Sequence, residues 1–241
     1  ILTRLPPLAI TADGRLAEWN REVVECEPGH RHNTHLYGIF PGNVITPDDT
    51  ALWQAARRSL DRRVEALVHA RDEADGWDAG WSRAWRATLF ATFGDGATAW
   101  QWLWKLLDNQ VSESLLNLHP PGVFQIDGNL GMLAAITQML VAQPCCNRIV
   151  PLPALPPAWP DGAVRRLRGR HALRFELEWH GGQLTELVIT AQYGGEFTVA
   201  LPSRATFLRM TGRKPPVAVA NDVPITLEDG DSVRFARQNQ A

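Results

Sequence analysis

Three histidines and an arginine lie within six residues, His30, Arg31, His32 and His35, in the segment GHRHNTHLYGIFPG at 29–42. Arg and His held in a loop bounded by glycine and proline present fixed donors to hydroxyl oxygens. The rings of Trp19 and Tyr37 nearby in sequence can stack on a sugar face. A metal reading of the three histidines is weaker, because no carboxylate or cysteine pattern accompanies them and Arg31 would repel a cation. A polar loop pinned by its own hydrogen bonds accounts for the same residues, so residue chemistry alone leaves sugar site and pinned loop level. A second candidate is Asp127, in FQIDGNLG at 124–131, just ahead of an expected helix start. Asp127 can cap that helix; Asn129 caps equally well, which would release Asp127 to serve as a general base or to orient one. The third is Glu18 beside Trp19. Apolar surroundings raise a carboxyl pKa as a general acid requires, but a surface carboxylate beside a core Trp is the plainer reading.

The elements that must position these groups follow from periodicity. Residues 1–49 read as loop-rich, with a short helical piece at 16–24. Thr46-Pro47-Asp48-Asp49 opens a helix to about Ala70, with Leu52, Ala55, Ala56, Leu60, Val64 and Leu67 on its apolar face. Arg57, Arg58, Arg62 and Arg63 are expected on its solvated face. A second helix is expected over 80–93 with Trp81, Trp85, Thr88, Leu89 and Thr92 on one stripe, and a third over 97–109 with Trp100, Leu103, Trp104 and Leu107. The tryptophans at 81, 85, 100 and 104 are expected to pack helix against helix. A fourth helix is expected over 129–141. Short glycine-rich links between helices of this length suggest antiparallel hairpins.

From Arg148 the period changes to alternation, with strands over 173–179, 184–191, 196–201 and 232–236 and a Gly181-Gly182 hairpin turn. A semi-rigid connector with five prolines, PLPALPPAWPDG, occupies 151–162. The expected fold is therefore mainly α, a helical domain over 1–147, followed by a small antiparallel β domain over 148–241.

Composition narrows the function classes. The 241 residues carry 24 basic and 26 acidic groups, a net charge of −2, which supplies no basic field for nucleic acid or anionic lipid. No apolar run reaches the length of a membrane span. Three cysteines, two of them adjacent at Cys145-Cys146, make neither a disulfide framework nor a zinc pattern. Eight of the ten tryptophans fall between Trp19 and Trp104, a clustering that hints at an aromatic-lined cleft. The chain opens on Ile rather than Met and without a signal-peptide pattern, so it reads as beginning inside a longer protein.

Five segments taken in order resemble glycoside hydrolase family 95: Glu18-Trp19, the GHRHNTHLYGIFPG segment, GWSRAWRATLFATFGDG at 80–96, HPPGVFQIDGNLG at 119–131, and LPALPPAWPDG at 152–162. Asn33-Thr34 and Leu130 depart from the family pattern. The resemblance implies an inverting α-L-fucosidase acting on α-1,2-linked fucose of a glycan, with later helices of an (α/α)6 barrel and a C-terminal β domain. It also implies Asp127 as the Asp that raises the basicity of the Asn pair holding the water, and Arg31 and His32 as fucose contacts. No cofactor or metal is implied, and the setting is expected to be extracytoplasmic. The family's general-acid Glu and its Asn pair belong to motifs upstream of Glu18-Trp19. The chain alone is therefore expected to be inactive and to need the missing N-terminal part as its partner. The alternatives are an α-L-galactosidase of the same family and a non-catalytic carbohydrate-binding fragment.

Overall fold

The computed structural model describes residues 6–69, 78–120, 122–144, 147–212 and 214–238. Trp77, Pro121, Cys145 and Cys146 lie outside the described residues. Among the described residues the chain forms four α-helices followed by a predominantly antiparallel β region, and it divides into two compact units. One holds Ile1–Phe93 with Ala99–Ala135, the other Gly94–Thr98 with Ile136–Ala241.

Helix α1 runs Thr50–His69. Asp49 Oδ1 accepts the Leu52 N–H at 3.2 Å, the cap that the acidic run foreshadows. Ala55, Ala56, Leu60 and Leu67 are buried along it. Arg63 departs from the expected solvated face: it is buried, and its Nη2 donates to Glu18 Oε2 at 2.8 Å. Arg57 is half-buried, pairs with Asp61 and lies over the rings of Phe90 and Phe93. The helical piece expected over 16–24 is absent. The Leu16 N–H goes to Ser59 Oγ and the Ala55 carbonyl of α1, and that of Ala17 to the Ala9 carbonyl, so these donors tie the segment to its neighbours.

Helix α2 spans Gly80–Thr92 and is buried almost all round, including Ser82, Arg83 and Arg86. Helix α3, Gly96–Asn109, turns inward Ala99, Trp102, Leu103 and Leu106. This face is rotated from the expected Trp100–Trp104 stripe. Trp102 is the buried indole, on the same stripe as Ala99, Leu103 and Leu106, with the Arg86 guanidinium and the Lys105 ammonium over its ring, while Trp104 is exposed. A small hairpin of β1 (Leu118–His119) and β2 (Val123–Phe124) leads into α4, Ile126–Leu140. That helix begins three residues before the expected Asn129, so Asp127 sits inside its first turn instead of ahead of it.

The second unit is a two-sheet sandwich. Its strands are β3 (Val141–Ala142), β4 (Arg148–Pro151), β5 (Gly162–Arg168), β6 (Leu173–His180), β7 (Gln183–Ala191), β8 (Gly195–Ala200), β9 (Phe207–Thr211), β10 (Val217–Val219), β11 (Asp222–Leu227) and β12 (Ser232–Arg237). One sheet has the order β10-β9-β12-β7-β6-β5, the other β11-β8-β4-β3; every pair is antiparallel except β4 with β8. Inward residues alternate as the sequence pattern requires, with Leu173, Phe175, Leu177 and Trp179 of β6 meeting Ile149, Phe197, Val199 and Ile225 of the facing sheet in one core. Gly181 and Gly182 take φ of +56° and +71° in the β6–β7 turn, the left-handed geometry a two-residue hairpin needs. The proline-rich segment is part of this unit. Asp161 Oδ1 and the Pro160 carbonyl accept the N–H groups of Gly181 and Gly182, and the Trp159 carbonyl accepts the Trp179 indole N–H at 2.9 Å.

Candidate functional site

The histidine loop is clamped by three residues on one side of α2. Ser82 Oγ donates to the Arg31 carbonyl at 2.5 Å, and Trp85 Nε1 donates to the Phe40 carbonyl at 3.0 Å. Trp81 meets the His32 ring edge to face, with centroids 5.0 Å apart. These indoles therefore hold the loop and do not line a helix–helix seam. Inside the loop, a 3-10 turn over Thr34–Gly38 drives Leu36 into the core, and Asn33, fully buried, donates to the Arg31 carbonyl at 3.3 Å. The backbone at Arg31 is thus fixed from two directions, and the side chains of Arg31 and His32 emerge from a set position.

The three histidines have separate surroundings. His30 faces Glu27 at 2.9 Å, and His32 remains exposed against Trp81. The His35 side chain is only 5% exposed, with Nδ1 3.7 Å from Glu18 Oε2. Among the described residues no group of three His, Cys, Asp or Glu side chains could hold a metal ion. Partial desolvation first, then the neighbouring His30 and Arg31 charges, lower the His32 pKa below its ordinary value, although the residue stays exposed. His32 is therefore neutral at pH 7, with one ring nitrogen to donate and one to accept. Burial pushes His35 down to about 4 against the opposing pull of Glu18. Glu18 is exposed, as expected of a surface acid, and is held by Arg63 and beside His35; Trp19 is exposed too and is not the core indole expected beside it.

Asp127 is exposed in the first turn of α4, where an acidic side chain complements the helix macrodipole. Asn129 does not cap the helix. Its Oδ1 accepts the Asn117 N–H and its Nδ2 donates to the Leu115 carbonyl, both at 2.8 Å, so it stitches the preceding loop to α4.

Asn117 joins the two halves of the site. Its side chain is buried, and Nδ2 donates to the Gln110 carbonyl at 2.9 Å. A Cβ on Gly80, the first residue of α2, would stand 1.8 Å from Asn117 Nδ2, and one on Gly128 of α4 would stand 2.1 Å from Oδ1. One amide therefore fills the space left by two glycines, and the first turns of α2 and α4 share it. Arg31 and His32 hang on the first of these turns, Asp127 on the second.

Beneath them lies a buried ion cluster. Asp78 accepts from Arg83 Nε at 3.0 Å and from Arg86 Nη1 at 2.9 Å, with all three side chains almost wholly excluded from solvent. Gln110 Nε2 donates to the Asp78 carbonyl at 2.6 Å, which links the cluster to Asn117. None of Asn117, Ser82, Asp78 or Gln110 stood out in the sequence. The legible signal was glycine in the first turns of two helices, where it costs about 1 kcal/mol against alanine and so marks a close approach.

Comparison with known proteins bears on the same residues. The family model described as Glycosyl hydrolase family 95 catalytic domain matches residues 1–140, and that described as Glycoside hydrolase family 95, C-terminal domain matches 143–236. The chain is 34% identical over 195 residues to "Alpha-L-fucosidase 2" of Arabidopsis thaliana, covering 76% of this chain and 22% of that protein. It is 29% identical over 176 residues to "Probable alpha-fucosidase A" of Aspergillus oryzae and 26% identical over 189 residues to the like-named protein of Aspergillus niger. Those matches cover 65% and 73% of this chain, and 23% of each relative, so the chain spans under a quarter of the length of the relatives it matches. With one model matching the helices and the other the sandwich, the chain belongs to glycoside hydrolase family 95.

Proposed function

We propose that this chain is the C-terminal part of an inverting α-L-fucosidase that removes terminal α-1,2-linked L-fucose from glycans. The observation that carries the reading is the 34% identity to a plant protein named as an α-L-fucosidase, over three quarters of this chain. In this reading Arg31 and His32 hold the sugar: the guanidinium donates to ring hydroxyls, and the neutral imidazole donates to one hydroxyl and accepts from another. Asp127 acts on the amide groups that hold the attacking water and raises their basicity. Inversion also needs an acid on the leaving oxygen. Glu18 is committed to Arg63 and His35, so the acid belongs to the upstream polypeptide, which is this chain's partner. No metal enters the scheme, and EDTA is expected to leave turnover unchanged.

The test is fucose release from 2′-fucosyllactose by the purified chain, alone and with the polypeptide encoded upstream. Release only in the mixture supports the reading. Release by the chain alone overturns the placement of the acid and makes Glu18 the first residue to replace. Release from neither, or of L-galactose in preference from the matching galactoside, removes the fucosidase assignment.

A further inference from the structure

Arginine is concentrated at one end of the six-stranded sheet. Arg165, Arg166, Arg168, Arg170 and Arg174 fall within ten residues, all exposed, and no acidic residue occurs from 162 to 175. A bulge sets their register. Between Val164, opposite Leu177, and Leu167, opposite Phe175, β5 holds two residues where β6 holds one, and Arg166 takes a φ of +57°. Beyond the bulge Arg168 of β5 stands directly opposite Arg174 of β6, both on the outer face. Like charges in that relation destabilise a sheet. Neighbouring positions avoid it, since Arg165 pairs with Glu176 and Glu178, and Arg234 with Glu186. Among the described residues no carboxylate pairs with Arg168 or Arg174. Protection of an open edge explains charge on β5, the edge strand, but not on β6, which lies inside the sheet. The row continues through Thr190 of β7 and Ser232 of β12, whose hydroxyl oxygens are 2.8 Å apart. One hydroxyl of that pair donates to the other, and the second keeps its proton for an outside acceptor. The Gln192 N–H donates to the Ala172 carbonyl at 3.2 Å, which brings the loop of exposed Tyr193 beside the turn that carries Arg170.

We propose that the row Arg168–Arg174–Thr190–Ser232 is a binding surface for a sulfated polysaccharide. Two guanidinium groups side by side repel each other until an anion lies between them. A sulfate ester offers three terminal oxygens, enough for both guanidinium forks and the neighbouring hydroxyl, where a carboxylate offers two. Four strands at the usual spacing make the row about 14 Å long, which suits a chain better than a single sugar. Tyr193 adds a ring that can stack on a sugar face. Membership of a glycoside hydrolase family favours a polysaccharide over a nucleic acid, and a net charge of −2 supplies no long-range field to gather DNA. The surface lies wholly within the sandwich and uses none of Arg31, His32 and Asp127, so it stands apart from the fucosidase reading.

The test is isothermal titration calorimetry of the purified chain at physiological ionic strength. Binding to dextran sulfate is expected, with none to uncharged dextran and weaker binding to polygalacturonate and to duplex DNA at equal charge. Arg168→Gln combined with Arg174→Gln should lower the affinity for dextran sulfate at least about tenfold. Arg21→Gln combined with Arg204→Gln removes the same charge from exposed sites elsewhere and should change it less than about twofold. Relief of the opposed charges should leave the urea midpoint of the first double variant at or above that of the parent. No binding to dextran sulfate overturns the proposal, as does equal or tighter binding to polygalacturonate or DNA. Equal losses in the two double variants, or a lower urea midpoint in the first, also overturn it. Dextran sulfate binding without fucose release by the assembled enzyme leaves this surface standing and removes the fucosidase reading.

Discussion

Gly128 lies so close to Asn117 that a Cβ on the glycine would stand 2.1 Å from the amide oxygen. The approach is what lets α4 begin against the start of α2, and it sets where Asp127 emerges. Gly128→Ala is expected to lower stability by about 1–3 kcal/mol, because overpacking outweighs the gain in helix propensity. Urea unfolding of the chain measures this. In a double-mutant cycle with Asn117→Ala the two losses should fall short of additive by at least about 0.5 kcal/mol.

Replacing Asp78 tests the cluster below. Asp78→Ala leaves the buried guanidinium groups of Arg83 and Arg86 without their carboxylate, and a loss of about 3–5 kcal/mol is expected. Asp78→Asn keeps the shape and removes the charge, so it should fall between that variant and the parent in the same unfolding assay.

His35 makes folding sensitive to pH. Its folded pKa of about 4 lies below the ordinary value of 6.5, so between those limits the unfolded chain takes up a proton that the folded chain refuses. Stability therefore falls as pH drops through this window and, for this group, is level above it. The expected loss between pH 7 and pH 5 is about 1–2 kcal/mol. His35→Gln should remove that slope, seen as a smaller shift of the urea midpoint between the two pH values.

In the assembled enzyme, Asp127→Asn is expected to reduce kcat by at least about 100-fold with KM changed only a few-fold, if the carboxylate acts as proposed, on the amides that hold the water and not on the sugar. His32→Ala should show the opposite emphasis, raising KM for 2′-fucosyllactose. Steady-state kinetics on the two variants separates the roles.

How much of this was legible in the sequence depended on how local the signal was. The four helices, the β6–β7 hairpin and the alternation of β6 follow from spacing and turn residues, and they were read correctly to within a few positions. β5, β9, β10 and β11 are not evident from the sequence: β11 pairs with β8, more than 20 residues away, while β9 and β10 form a local hairpin whose short strands lack a clear alternation of buried and exposed residues. The inward face of α3, Ala99, Trp102, Leu103 and Leu106, has the ordinary helical spacing, but the Trp100–Trp104 stripe competes with it because this helix carries apolar residues on both faces. Arg63 is buried where the arginine run predicts a solvated face, because its partner, Glu18, lies 45 residues away and no local pattern announces it. The histidine loop and FQIDGN drew attention by residue type. Ser82 and Asn117, which fix the two, are ordinary residues that gain importance only through what the fold brings against them.

The Asp78–Arg83–Arg86 cluster also constrains how this sequence can drift. A lineage that lost Asp78 alone would keep two guanidinium groups in the interior, and one that lost Arg86 alone would uncover the ring of Trp102 and leave Asp78 short of a donor. Each single replacement passes through a less stable protein than either end of the path. The three positions must then change together or stay. Arg148–Asp222 on the sandwich surface, open to solvent on both sides, is under no such ratchet and is free to be exchanged one residue at a time.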